Sequence, residues 1–222
     1  MRVAGIIPAA GYASRLQPLD CSKEVYPIRG RPIMDYLIER MRAAGCHDIR
    51  VVTRPEKVDV VRNTELQGAT VVEDHPDSLG ASINLGLAGL ADEDVALLGF
   101  PDTLWEPRDG YVGLISAVQR GWEAALGLFP VADPETCDAV LCDERGRVLA
   151  VEAKSAIPSS NLIWGCAAVR VKALQAWDGG VDPGIYFDSI AATHDLVGIH
   201  LSDAFLDIGK SRRALRAAAE SP

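Results

Sequence analysis

Short apolar runs alternate with amphipathic stretches along the first half of the chain. The apolar runs that predict buried strands lie at 3–8, 48–53, 69–72 and 95–99. The stretches with apolar residues at helical spacing, which predict helices, lie at 31–45, 56–66 and 79–90. Because strands and helices alternate, we expect right-handed crossovers and a parallel sheet that is covered on both faces.

The second half of the chain is richer in strands. Its apolar runs predict strands at 123–131, 139–142, 148–152, 162–169 and 197–201. Helices are predicted at 114–119, 172–177, 187–193 and 211–219. The whole pattern predicts the α/β class: a three-layer α/β/α sandwich around a Rossmann-like sheet that is mixed and mostly parallel.

Length, composition and charge narrow the classes of function. The 222 residues fit one domain, and an apolar content of 48% argues against intrinsic disorder. With 22 basic and 31 acidic side chains the net charge is −9, so a nucleic acid polymer is not an expected partner. No apolar run is long enough to span a membrane, and no membrane partner is expected. The first residues lack a signal-peptide pattern and the five cysteines form no CxxC pair, which predicts a cytoplasmic protein with reduced thiols.

A turn of small residues directly follows the first predicted strand. It runs from Ala9 to Arg15, and Lys23 follows shortly afterwards. Backbone N–H groups in such a turn can bind an anion, and the two cations would add positive charge to an acidic chain. The spacing matches neither a P-loop nor the GxGxxG fingerprint. An ordinary strand-to-helix turn with a surface arginine is therefore an equally good interpretation of this segment alone.

Two carboxylates are candidates for holding a magnesium ion. Asp102 follows the predicted strand at 95–99, and strand ends of a parallel sheet are where ligands bind. Asp207 precedes the last predicted helix, where it could instead cap that helix. Magnesium prefers hard oxygen ligands, and two carboxylates that converge on one cation suit phosphoryl or nucleotidyl transfer.

Taken in order, these segments resemble the sugar-1-phosphate nucleotidyltransferases, also called sugar-nucleotide pyrophosphorylases. Residues 7–19 read IPAAGYASRLQPL and residues 22–28 read SKEVYPI, against the family's LAAGxGTRLxPLT and PKxLLPV. Residues 97–104, LLGFPDTL, resemble the LLGDxLF metal motif, and residues 205–209, FLDIG, resemble WxDxGT. The resemblance implies a single nucleotidyltransferase domain with a nucleotide-binding half at about 1–110 and an acceptor-binding half at about 111–222.

The resemblance also implies roles for individual residues. Arg15 would hold the β- and γ-phosphates of a nucleoside triphosphate, Lys23 would stabilise charge at the α-phosphate, and Asp102 and Asp207 would bind Mg²⁺. The remaining implied nucleotide-binding residues are Ala9, Ala10, Gly11, Tyr12, Ala13, Ser14, Glu73, Gly80 and Ser82. Ala13 replaces a motif glycine, so a positive φ at this position would be strained.

On the acceptor side the resemblance is weaker. The implied sugar-phosphate-binding residues are Glu152, Lys154, Asn161 and Gly165. The family reads EKP where this chain has Ala153, Lys154 and Ser155, so the glutamate that binds sugar hydroxyls is replaced by alanine. Glu152 would compensate only with a shift of strand register, because neighbouring strand residues point to opposite faces.

The implied reaction condenses a nucleoside triphosphate with a sugar-1-phosphate and releases pyrophosphate. A carboxylate near the base, Glu73 or Asp74, would favour a base with an amino group. Two alternatives remain: a cytidylyltransferase acting on a non-sugar phosphate such as phosphocholine, and a regulator that binds nucleotides without catalysis. The expected partners are a nucleoside triphosphate and a small phosphorylated acceptor, and the protein is expected to be a monomer or a homodimer.

Overall fold

The computed structural model describes residues 1–177, 179–180, 182–192, 195–211 and 214–215. Within these ranges, the strands of the first half are β1 (Val3–Pro8), β2 (Pro27–Ile28), β3 (Arg31–Pro32), β4 (Asp48–Thr53), β5 (Thr70–Glu73), β6 (Val95–Gly99) and β7 (Thr103–Trp105). Those of the second half are β8 (Ala124–Pro130), β9 (Asp138–Cys142), β10 (Val148–Ala153), β11 (Leu162–Arg170), β12 (Leu196–His200) and β13 (Phe205–Asp207). The helices are α1 (Ile33–Ala43), α2 (Val58–Leu66), α3 (Leu79–Gly86), α4 (Gly110–Gln119), α5 (Val171–Gln175) and α6 (Pro183–Ala191).

One mixed sheet contains strands from both halves of the chain. The strands run in the order β10-β9-β11-β6-β1-β4-β5, and β8 pairs with both β11 and β12. The first-half strands β6, β1, β4 and β5 are parallel to one another, as the alternation of strands and helices predicts. β11 joins the two halves by running antiparallel to β6 and to β8. The predicted α/β class with its mixed sheet is confirmed.

Both faces of the sheet are covered by apolar packing. Ala4 and Ile6 of β1 belong to a core on one face, whereas Ile7 belongs to a core on the other, because successive strand residues point to opposite faces. Helices α3 and α6 cover the first face through residues such as Ile83 and Phe187. Helices α1 and α4 cover the second face. The three-layer arrangement follows from strands that are apolar on both sides.

The four shortest strands, β2, β3, β7 and β13, were not predicted. β7 and β13 pair antiparallel in a small separate sheet, with Asp207 opposite Thr103. Asp207 is therefore the last residue of a strand, and its Oδ1 accepts from the N–H of Gly209 at 2.8 Å. Capping of the last predicted helix by Asp207 stays an untested alternative. Strands this short carry too few positions for a periodic signal. The predicted helix at 211–219 lies almost wholly outside the described residues.

Helix ends also differ from their predicted positions. α4 begins at Gly110, four residues before the predicted start at 114, and α3 ends at Gly86 instead of residue 90. Such shifts are expected because helix boundaries depend on packing more than on periodicity. In the described part of the chain, no helix is both long enough and apolar enough to cross a bilayer.

Candidate active site

Two cavities open at the edge of the sheet where β1 and β6 end, and the two candidate metal-binding carboxylates separate them. The first cavity, of about 450 Å³, is bordered by Asp102 and Lys23. Its other walls include Ala10, Gly11, Tyr12, Arg54, Asp77, Ser78, Ser82 and Phe100. The second cavity, of about 660 Å³, is bordered by Asp207 and Arg15 and also by Asp133, Thr136 and Lys210. This placement confirms the expected gathering of β-strand-end residues at one edge.

The turn that follows β1 is held in place by hydrogen bonds from two cationic side chains. Nε of Arg54 donates to the carbonyl of Ala10 at 2.9 Å, and Nζ of Lys57 donates to the carbonyls of Ala9 and Gly11 at 2.6 and 3.1 Å. Arg54 also stacks on the ring of Tyr12, at 4.6 Å from the ring centroid. These cations come from the segment after β4. They were not predicted, although they follow a buried strand just as the predicted site residues do.

Ala13 has the positive φ that makes a residue with a β-carbon strained at this position. Its φ is 52°, in the left-handed region where a Cβ costs on the order of 1 kcal/mol. The neighbouring small residues Ala9 and Ala10 are almost fully buried. The turn is therefore tightly constrained, as a loop that presents its backbone to a ligand must be.

A buried ion pair links this turn to the segment that carries Lys23. Nζ of Lys57 lies 2.7 Å from Oε2 of Glu24, and Glu24 is fully buried. Burial raises the pKa of Glu24 and lowers that of Lys57, and the charge of each partner opposes the change in the other. Glu24 lies in a short 3-10 helix, Lys23–Val25, so the same pair that holds the turn also positions Lys23.

Lys23 forms an ion pair with Asp102. Nζ lies 2.5 Å from Oδ2, and the two side chains are 20% and 14% exposed. Burial lowers the pKa of Lys23, but the charge of Asp102 and the hydrogen bond to it outweigh that effect, so the pKa is raised overall. The lysine is accordingly a fixed cation at the mouth of the first cavity at neutral pH.

Pairing of β7 with β13 brings the two aspartates together. The backbone N–H of Ile208 donates to the carbonyl of Asp102 at 3.0 Å, and the α-carbon of Gly209 lies against both carboxylates. Burial, and then the negative charge of Asp102, raise the pKa of Asp207 to about 6. A buried carboxylate beside a second carboxylate is a site that a divalent cation would neutralise.

The donor set fits magnesium. Asp102 and Asp207 offer hard carboxylate oxygens, and Mg²⁺ commonly takes one or two carboxylates and completes its shell with water and substrate phosphates. No group of three or more histidine, cysteine, aspartate or glutamate residues that could hold a metal occurs among the described residues. The site thus suits an ion that is bound partly by the protein and partly by a substrate phosphate, and not one that is bound by protein ligands alone.

Gly209 is expected to be required for this pairing of carboxylates. A β-carbon at this position would collide with Oδ2 of Asp102, so Gly209→Ala must turn that carboxylate away. We expect a turnover loss of about tenfold or more, with little change in melting temperature because a flexible side chain absorbs the clash. Gly113→Ala is the matched control, since a β-carbon there meets nothing within 4 Å. Equal activity of the two variants would contradict the proposed carboxylate geometry.

Magnesium activation is expected to depend on pH through Asp207. With a pKa of about 6, this carboxyl is protonated below that pH, and a proton competes with the cation. The magnesium concentration for half-maximal activity should rise about tenfold per pH unit below 6 and level off above 7. Lys210 lowers the pKa of Asp207, so Lys210→Met should shift the curve to higher pH. A flat dependence between pH 5 and 8 would exclude Asp207 as the titrating ligand.

The structure distributes the predicted phosphate-binding residues over both cavities. Lys23 borders the first cavity, whereas Arg15 borders the second together with Asp207. Nζ of Lys210 borders it too and is held by Oδ2 of Asp133 at 3.0 Å and Oγ1 of Thr136 at 2.9 Å. Lys210 was not predicted, because a lysine after a strand-end motif gives no signal of its own.

The predicted base-side residues divide into those that border the first cavity and those that do not. Ser82 borders it. Gly80 is buried, and a β-carbon there would collide with Gly179 and Trp177. The glycine therefore allows the start of α3 to pack against the segment that follows α5. Glu73 is exposed at the end of β5, outside the walls of the cavity, whereas Asp77, four residues further along the chain, borders it. Contact of Glu73 with a base stays a prediction that this placement does not support.

The predicted acceptor-side residues are engaged with the protein itself. Glu152 accepts from the N–H and hydroxyl of Ser159, at 2.6 and 2.7 Å, so its carboxylate is directed to the loop after β10. Lys154 has a φ of 48° and pairs with Asp182 at 3.1 Å. The carbonyl of Asn161 accepts from Val131 at 3.0 Å.

Gly165 is buried, and a β-carbon there would collide with the ring of Phe205. Because Gly165 has no side chain, the ring of Phe205 at the start of β13 can pack against β11. The ladder of β10 and β9 shifts register between Val148 and Ala150 and is regular from there on, with Glu152 opposite Ala139 and Ala153 opposite Asp138.

Known proteins resemble this chain in sequence. The sequence profile of the MobA-like NTP transferase domain matches residues 5–144. A glucose-1-phosphate thymidylyltransferase of Mycobacterium tuberculosis is 27% identical over 169 residues, which cover 71% of this chain and 57% of that protein. One from an Actinoplanes species is 30% identical over 168 residues, which cover 70% of this chain and 54% of that protein. The chain thus matches little more than half the length of these curated relatives.

Solved structures show the same fold. A putative glucose-1-phosphate thymidylyltransferase from Bacillus anthracis superposes with a TM-score of 0.84 at 19% identity, over 99% of this chain and 96% of that one. A UDP-glucose pyrophosphorylase from Acinetobacter baumanii gives a TM-score of 0.83 at 17% identity, over 99% and 92%. At these identities the likeness establishes the fold alone.

Proposed function

The chain belongs to the MobA-like NTP transferase family, and from this premise we propose that it transfers a nucleoside monophosphate unit from a nucleoside triphosphate to a sugar-1-phosphate, releasing pyrophosphate. The observation that carries the proposal is the pair Asp102 and Asp207, set between two cavities with Lys23 beside it. A transfer between two phosphorylated substrates needs such a charged junction with room on each side.

The first cavity is proposed to hold the nucleoside. Its walls combine the backbone of Ala10 and Gly11, the ring of Tyr12 and the start of α3 at Ser82. Arg54 connects the two sides of this cavity, because it donates to the carbonyl of Ala10 and, at 2.9 Å, to that of Pro76. A brace of this kind fixes the width of the cavity and so supports a pre-formed binding site.

The junction is proposed to hold the reacting phosphate. Lys23, fixed by Asp102, would stabilise the charge that builds up at the α-phosphate, and Arg15 would hold the leaving pyrophosphate on the side of the second cavity. Asp102 and Asp207 would hold Mg²⁺, which when bound neutralises phosphate charge and orients the two substrates. The protein supplies no covalent nucleophile in this scheme; it positions the acceptor oxygen and the phosphorus in line and neutralises charge.

The names of the relatives make glucose-1-phosphate and thymidine or uridine triphosphates the first substrates to test. Replacement of the acceptor glutamate by Ala153 supports testing other sugar phosphates as well. We place the reaction in the cytoplasm, where both substrates occur, and we propose a monomer or homodimer without a nucleic acid polymer or a membrane as partner.

The test is pyrophosphate release with magnesium, for CTP, UTP, dTTP, ATP and GTP against a panel of sugar-1-phosphates and phosphocholine. Release with a sugar phosphate is the expected result and names both substrates. Release with phosphocholine alone would replace the sugar by a non-sugar acceptor. Nucleotide binding without release across the panel would favour a regulator that binds nucleotides.

A further inference from the structure

The missing acceptor glutamate has a counterpart on the adjacent strand. Ala153, at the position of that glutamate, pairs directly with Asp138 in the antiparallel ladder of β10 and β9. Directly opposed residues of such a ladder share one face, with their β-carbons about 5 Å apart. A carboxylate at 138 therefore extends from the same face of the sheet as a side chain at 153.

Within the described part of the chain, one oxygen of this carboxylate has no partner. Oδ2 of Asp138 accepts from Nε1 of Trp164 at 3.3 Å, whereas Oδ1 is buried and has no hydrogen-bond partner among the residues that the structure describes. An unpaired buried carboxylate oxygen is costly, and such groups call for an explanation beyond packing. Burial, and then the charge of Asp182, raise the pKa of Asp138, which Lys154 opposes.

Asp138 lies close to the proposed reaction site. The indole of Trp164 packs on Phe100, with ring centroids 5.3 Å apart, and Phe100 borders the first cavity two residues before Asp102. Lys154 lies on the same side, paired with Asp182 at the start of α6. The chain thus holds a carboxylate, an indole N–H and an ammonium group together, and the rings of Trp164 and Phe100 link them to the first cavity.

We propose that Asp138 determines acceptor specificity, its carboxylate accepting a hydrogen bond from a hydroxyl of the sugar phosphate in place of the absent glutamate. The proposal rests on the proposed function. The proposal explains why alanine is tolerated at position 153. The carboxylate stands on the neighbouring strand, at Asp138, and extends from the same face of the sheet. The proposal also predicts an acceptor with hydroxyl groups on its ring, since a hydroxyl would supply the donor that Oδ1 lacks.

The experiment compares binding of α-D-glucose 1-phosphate and other hexose 1-phosphates with binding of methyl phosphate, which has no hydroxyl group. Asp138→Asn keeps the shape of the side chain and an oxygen for Trp164. We expect it to weaken hexose phosphate binding by about tenfold to a hundredfold and to leave methyl phosphate binding within twofold. Loss of both ligands in equal measure, or an unchanged affinity for both, would overturn the proposal.

A second variant separates recognition from a structural role. Asp138→Ala combined with Ala153→Glu returns the carboxylate to the family position and should recover most of the affinity that Asp138→Ala alone loses. If Asp138 only holds Trp164, the double variant recovers nothing and both variants melt at a lower temperature.

Binding is measured without turnover, so the two proposals fail differently. A wild-type protein that binds hexose phosphates through Asp138 but releases no pyrophosphate would contradict the proposed function alone. A wild-type protein that binds none of the hexose phosphates would overturn the proposal for Asp138.

Discussion

Asp102→Asn is expected to lower the rate of pyrophosphate release by about 10³-fold, the scale seen when one preorganised charge is removed from a transition state. Asp102 has two roles in the proposed site. It is one of the two carboxylates that would hold magnesium, and it fixes Nζ of Lys23 at 2.5 Å. The amide has nearly the same shape but no negative charge, so both functions fail together.

Nucleotide affinity should change far less than turnover in this variant. Most of the first cavity is formed by other residues, including the turn after β1 and the start of α3. Asp109→Asn is the matched control, because Asp109 is exposed and its side chain makes no capping hydrogen bond to α4. Rates would be followed with the substrate pair found in the panel, and nucleotide binding by calorimetry. A variant that retains more than a tenth of wild-type turnover would rule out Asp102 as a metal ligand.

Lys57→Met is expected to destabilise the fold by about 3–5 kcal/mol, the usual cost of removing one partner from a buried ion pair. The substitution leaves the fully buried Glu24 without its cation, and Oε1 of Glu24 already has no hydrogen-bond partner within the described ranges. It also removes the donor to the carbonyls of Ala9 and Gly11. For a protein of this size the melting temperature should fall by about 10 °C.

Two variants show whether the ion pair causes this loss. Lys57→Met combined with Glu24→Gln removes both charges and should recover part of the stability, because no uncompensated carboxylate remains buried. Lys172→Met removes an exposed lysine and should stay within about 0.5 kcal/mol of the wild type. Unfolding would be measured in urea and by heating. A Lys57→Met protein as stable as the wild type would mean that Glu24 is neutral and that the pair is not ionised.

The same variant tests how the turn after β1 is positioned. Lys57 does not itself border the first cavity, but it bonds to Gly11 and Glu24, which do, so its effect on nucleotide affinity must pass through these neighbours. We expect the nucleotide KM to rise while the acceptor KM stays unchanged. Lys57→Arg keeps a cation and should recover part of the affinity, which a general loss of folding would not explain.

Most of the regular elements could be predicted from local patterns. β1, β4 and β6 match their predicted limits, because a buried strand is an uninterrupted apolar run with charged or turn residues at its ends. The residues after these strands could be placed at one edge of the sheet, since parallel strands end on the same side. The positions of Asp102 and of the turn at 9–15 were predicted correctly in this way, and the order of the motifs indicated the family.

Other features of the candidate site depend on pairings that no local pattern contains. Asp207 reaches Asp102 only because β13 pairs with β7, two strands of three residues that are about a hundred positions apart in the chain. Asp138 stands opposite Ala153 only through the register of β9 and β10. A register is set by turn geometry and by packing of whole strands, and a shift of one residue would turn each side chain to the other face.

The sequence by itself determined the alternation of strands and helices, the edge at which the strand-end residues gather and the identity of the charged residues there, because periodicity and strand ends are local properties of the chain. Only the tertiary structure decided which of these charges meet. Lys57 pairs with Glu24, Lys23 with Asp102 and Lys154 with Asp182 across separations that range from 28 to 79 residues. Such contacts form when distant segments pack together, and burial then sets their strength.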